Sequence, residues 1–90
     1  MTDIKKALED LVEENFQFTK GINWKQVEDV PLVKPPFSFD GISLFYLLML
    51  VEEKFNIIFT VEDFRENLEI FYTISKIETA IRKKIKILGL

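Results

Sequence analysis

Apolar positions in the first stretch of the chain fall at helical spacing. Ile4, Ala7, Leu8, Leu11, Val12 and Phe16 recur every three or four residues, with Lys5, Lys6, Glu9, Asp10, Glu13 and Glu14 on the other faces. The pattern predicts an amphipathic helix over about residues 3–16, with Thr2 as its N-cap. The period is then lost. Between residues 17 and 39, Pro31, Pro35 and Pro36 break any long helix. A connection of this length needs anchors to be ordered. Trp24, Val27, Val30, Leu32, Val33, Phe37 and Phe39 can provide them by packing on the helices. Trp24-Lys25-Gln26-Val27 is long enough for one helical turn.

A second helix is predicted from Gly41 to Phe55. Asp40 stands in the N-cap position, where its charge suits the positive end of the helix dipole. Apolar residues lie almost all round this helix, so it must either be covered by others or use an uncovered side for binding. Asn56-Ile57-Ile58-Phe59 forms a short apolar connection. Thr60 then caps a third helix, with Glu62 and Asp63 in its first turn, running to about Leu68. Thr73 caps a fourth, with Ile74, Ile77, Ala80, Ile81 and Ile85 on one face; residues 85–90 are expected to fray. The predicted fold is therefore all-α: a four-helix bundle with a long loop between helices 1 and 2, forming a single domain over residues 1–90.

Composition narrows the chemistry. At 90 residues and 48% hydrophobic, the chain has enough apolar side chains for one compact core. It contains no Cys, which removes disulfides, thiolate nucleophiles and Cys-based zinc sites. It also contains no His, the commonest general base and transition-metal ligand. The pairs Glu52-Glu53 and Glu62-Asp63 fall on faces predicted to be exposed, with no nucleophile or metal-binding set beside them. No enzyme and no metal site is expected. The net charge of −3 disfavours general nucleic-acid binding. The longest apolar run, Leu44 to Val51, is far too short to span a bilayer. With no signal-peptide pattern at the N-terminus, the expectation is a soluble cytoplasmic monomer without membrane contact.

The stretch from Asp40 to Phe59 resembles the acyl and peptidyl carrier proteins. In that family an Asp-Ser-Leu triplet opens the second helix, and the serine carries 4'-phosphopantetheine. Here the triplet reads Asp40-Gly41-Ile42. In the same register, Leu47, Leu48 and Val51 fall on core positions. Glu52-Glu53-Lys54-Phe55 falls on the family's acidic pair and closing phenylalanine. Asn56 to Phe59 matches the short exit before the third helix, although Thr60 stands where proline is common. Around Asn67 to Ile70 the chain is about four residues longer. Gly41 has no side-chain oxygen, so the resemblance implies a carrier fold whose attachment position is degenerate and which holds no phosphopantetheine. In size and in its divergence at the serine, the chain resembles the acyl carrier-related proteins of bacterial peptide-maturation systems.

Ser43 keeps an alternative open, because Ser43-Leu44 is itself a Ser-Leu pair and could carry phosphopantetheine in a working carrier. That register leaves Phe55 two residues early and turns the core positions by about 200°. The other reading makes Ser43 a first-turn residue that shares a hydrogen bond with the backbone or with Asp40.

The resemblance also implies a partner: an enzyme of a biosynthetic or peptide-modifying pathway with a basic docking patch. Residues 40–69 hold seven acidic and two basic side chains, a net −5, and opposite potentials speed and orient docking. The expected docking stripe is Ile42, Phe45, Tyr46 and Met49, flanked by Asp40, Glu52 and Glu53. For Phe45 and Met49 the balance lies slightly on the side of core packing. A further alternative is a helical adaptor or nucleic-acid binder using Arg82, Lys83, Lys84 and Lys86. Against it stands the ordinary role of such cations on the solvated side of a last helix.

Overall fold

The structure, a computed structural model, describes residues 3–67 and 69–87. Those residues are all-α: five α-helices and one short 3-10 turn, with no strand. The helices are α1 (Ile4–Asn15), α2 (Trp24–Val27), α3 (Gly41–Phe55), α4 (Val61–Glu66) and α5 (Ile74–Ile87); the 3-10 turn spans Gln17–Thr19. The four predicted helices correspond to α1, α3, α4 and α5, and α2 is the single helical turn at Trp24. No helix among the described residues is long and apolar enough to cross a membrane.

Local chemistry sets most of the helix ends. Asp40 Oδ1 accepts from Ser43 N–H at 2.8 Å and opens α3. Thr60 and Asp63 form a reciprocal capping box at α4, each satisfying a backbone N–H near the other. Thr73 Oγ1 accepts from Lys76 N–H at the start of α5. At α1 the cap is Asp3, which accepts from Lys6 N–H, while Thr2 lies outside the described residues. α4 ends at Glu66, short of the expected Leu68: Asn67 is already extended, and Leu68 itself lies outside the described residues. α3 stops at Asn56, which adopts the left-handed conformation and lets Ile57 N–H reach back to Glu52 C=O.

The core lies between α1, α3 and α5. Leu8, Leu11 and Val12 meet Leu47 and Val51 of α3 and Ile74, Ile77 and Ile81 of α5, all buried. The connections fill the remaining space with Leu32, Phe37, Phe39, Ile57, Phe59 and Ile70. The long connection between α1 and α3 is therefore part of the core. Leu32 N–H bonds to Tyr72 C=O and Ser75 N–H to Glu28 C=O, both at 2.9 Å, tying it to the start of α5. Lys5 Nζ pairs with Glu28 at 2.7 Å, and Trp24 Nε1 donates to Glu13 at 2.7 Å, tying it to α1. The rings of Trp24, Phe37, Phe39 and Phe16 follow one another at centroid spacings of 4.7–5.9 Å. Val33 is the one predicted anchor that faces solvent.

Candidate functional site

α3 has two apolar sides with different fates. Leu47 and Val51 are buried, and Leu44, Leu48, Leu50 and Phe55 pack partly against the core. On the other side Ile42, Phe45, Tyr46 and Met49 are 82, 62, 45 and 51% exposed. Their spacing of three, four and seven residues places them on one stripe. The expected balance toward core packing for Phe45 and Met49 is thus reversed. One side of α3 packs on α1 and the shared core, and Phe45 and Met49 lie outside it.

The stripe extends beyond the helix. Phe16 packs edge-on against Tyr46 at 5.8 Å and against Phe18 at 6.5 Å, and Phe18 is itself exposed. The Tyr46 hydroxyl lies 3.4 Å from Asn15 Oδ1. Past the C-terminal end of α3, Ile58 and Val61 are also exposed while Ile57 and Phe59 point inward. Sequence reasoning missed Phe18, Ile58 and Val61 as surface positions. The alternation of Ile57, Ile58 and Phe59 was the signal available for one of them.

The N-terminus of α3 is well defined. Asp40 is exposed, and its carboxyl is held below the usual carboxylate range, first by the Ser43 backbone N–H and then by the Ser43 side chain. Ser43 is half-buried, and its backbone N–H donates to Asp40. Gly41 is exposed and has no positive φ; a Cβ added there would meet nothing within 4 Å. Neither conformation nor space therefore demands glycine at this position.

The three flanking acids are not equivalent. Asp40 and Glu53 are exposed at opposite ends of the stripe. Glu52 is half-buried, and its carboxylate accepts from Phe59 N–H at 2.9 Å, so it holds the turn between α3 and α4. Farther on, Glu62 pairs with Arg65 at 2.8 Å and Asp63 with Lys84 at 2.6 Å. The Lys84 ammonium, followed by the Thr60 backbone N–H, holds the Asp63 carboxyl below its usual range.

The basic side of α5 is largely committed to internal pairs. Lys76 meets Glu69 at 3.2 Å, Arg82 meets Glu78 at 2.9 Å, and Lys84 meets Asp63. Lys83 is exposed and in no ion pair among the described residues; the Lys86 side chain lies outside them. A cleft of about 600 Å³ runs between α4, α5 and Asp29, with Phe59, Ile70 and Ala80 among its lining and Lys83 at its edge. Its charged groups are of both signs, and no buried side-chain polar atom among the described residues lacks a partner. Among the described residues no group of three or more metal-ligating side chains is clustered.

Comparison with protein-family models, with curated proteins and with solved structures finds no match for this chain.

Proposed function

We propose that this chain is a carrier-fold docking module: a four-helix acyl-carrier-like bundle that binds an enzyme of a biosynthetic or peptide-maturation pathway in the cytoplasm. It performs no catalysis itself and holds no phosphopantetheine. The observation that carries the reading is the start of α3. Immediately after Asp40-Gly41, where a carrier's attachment serine would stand, four large apolar side chains face solvent along one stripe. Apolar contact supplies the binding energy, while Asp40 and Glu53 at its ends favour partners with a basic rim and raise the association rate. Glu52 holds the exit from α3 and contributes to docking only by shaping that end.

The test uses the purified protein, coenzyme A and a broad phosphopantetheinyl transferase, read by intact mass. The wild-type protein is expected to gain nothing, and Gly41→Ser to gain a phosphopantetheine group, at least in part, because a Cβ added there meets no neighbour within 4 Å. A gain in the wild type that disappears in Ser43→Ala would overturn the proposal and make this a working carrier. With an enzyme partner in hand, chemical-shift changes should map to Ile42, Phe45, Tyr46 and Met49. Changes centred on Arg82 and Lys83 would instead make α5 the functional surface.

A further inference from the structure

We propose that the exposed stripe of α3 pairs with the same stripe of a second copy, in an antiparallel, two-fold dimer that must open before another protein can dock there. The first support is area. With roughly 200 Å² for a large apolar or aromatic residue, the exposures of Ile42, Phe45, Tyr46 and Met49 leave about 500 Å² uncovered per copy. That is near the upper end of what a typical monomer exposes in one patch. Burying it on both copies removes about 1,000 Å², the lower bound for a specific interface. Phe18, one ring from Tyr46 through Phe16, adds to the edge of the contact.

The second support is self-complementarity. Ile42 and Met49 lie symmetrically about the same midpoint of α3 as Phe45 and Tyr46. A two-fold axis through that midpoint places Ile42 against Met49 and Phe45 against Tyr46, so every member of the stripe meets another member. The antiparallel arrangement also opposes the two helix dipoles. With Phe45 and Met49 in the core, no such surface would exist, and the monomer expected from sequence would follow.

Charge gives this dimer a signature. Glu53 lies one turn beyond Met49 on the same stripe, and the two-fold axis carries it to position 38 of the other copy, two residues before Asp40. Each end of the interface therefore carries Glu53 between two copies of net charge −3, which repel, while Lys54 lies about 100° from Glu53 and Asp40 about 160° from Ile42 round the helix. Salt screens this repulsion, so the dimer tightens as ionic strength rises. Docking onto a basic enzyme surface responds in the opposite direction.

The dimer itself is independent of the carrier reading, and only its opening for another protein rests on the proposed function. Sedimentation velocity on the full chain, from about 20 µM to 1 mM in about 20 and 500 mM salt, tests it directly. The mass should climb toward that of a dimer with a dissociation constant on the order of 100 µM, and the climb should be steeper in high salt. Phe45→Glu and Met49→Glu should stay monomeric throughout with unchanged helical circular dichroism. Glu53→Gln should tighten the dimer roughly two- to fivefold. A monomer at about 1 mM in both salts overturns the proposal, as does a dimer indifferent to Phe45→Glu. Association that weakens with salt and vanishes in Lys83→Glu also overturns it, in favour of a head-to-tail contact between the acidic and basic surfaces. None of these outcomes bears on phosphopantetheine transfer, so failure here is distinct from failure of the proposed function.

Discussion

Glu52 and Glu53 are adjacent and chemically identical, and the fold separates them. Truncating Glu52 removes the acceptor for Phe59 N–H, a 2.9 Å bond to the backbone of a residue only 8% exposed. A buried donor left without a partner costs about 1–3 kcal/mol. Because the carboxylate is half-buried, water can reach part of the space it vacates, which places Glu52→Ala in the lower half, about 1–2 kcal/mol. Glu53→Ala should stay within about 0.5 kcal/mol, since its side chain is exposed and makes no bond among the described residues. Alanine's better helix propensity contributes equally at both positions and cancels in the comparison. At about 4–8 °C per kcal/mol for a domain of this size, Glu52→Ala should melt roughly 4–16 °C below Glu53→Ala. Glu52→Gln, which keeps an acceptor oxygen, should fall between them. Urea unfolding followed by far-UV circular dichroism and by the fluorescence of Trp24, the single tryptophan, measures all three. Equal stabilities for Glu52→Ala and Glu53→Ala, within about 0.3 kcal/mol, would refute the assignment of Glu52 to the turn.

Two further predictions concern the same end of the molecule. Asn56 sits at φ 53° and ψ 49°, so Asn56→Val should lose about 1–2 kcal/mol, whereas Asn56→Gly should be close to neutral; thermal melts distinguish them, and equal loss in both would place the cost elsewhere. Asp63, lowered first by Lys84 and then by the Thr60 N–H, contributes stability that is complete above about pH 4 and lost as the pH falls through its folded value. Its unfolded state binds the proton first, so the stability gap between wild type and Asp63→Asn in urea titrations should close on acidification, and a gap that stays constant would contradict the pairing.

What the sequence made legible was what is decided locally. The starts of α3, α4 and α5 at Asp40, Thr60 and Thr73 could be read because each cap satisfies a donor two or three residues away. Thr2 and Asp3 are both good caps, and only the backbone path selects Asp3. The apolar stripe of α3 was legible as a set of positions but not as a surface. α3 is apolar nearly all round, so its own period gives no direction. Which side faces inward depends on where α1 and α5 lie, and that put Phe45 and Met49 outside. Glu52 was misread for a related reason, since its partner Phe59 is reached only after the left-handed turn at Asn56 reverses the chain. Val33 failed as an anchor because Leu32, Phe37 and Phe39 fill that part of the core.

The distribution of charge decides which side of the molecule is the better candidate for contact. Taken as sequence, the basic end is already the weaker candidate, because such cations usually line the solvated side of a last helix. In the fold, three of the cations on and near α5 are matched by Glu69, Glu78 and Asp63 at 2.6–3.2 Å. The Lys76 and Arg82 pairs are the more exposed and add little stability, typically about 0–1 kcal/mol, but all three cancel local potential that would draw a polyanion. Asp63 is thereby removed from the acidic surface as well, and Glu62 is matched by Arg65. Of the acids in residues 40–69, Asp40 at one end of α3, Glu53 at the other and Glu66 in α4 are exposed with no ion pair among the described residues, and the first two lie on either side of four exposed apolar side chains. Apolar area contributes most of the affinity in such a contact, and flanking charge mainly selects the partner and sets the rate. Under the two proposals, one stripe has two occupants that salt tells apart: a second copy, which Glu53 and the net negative charge repel, and a basic enzyme surface, which they attract.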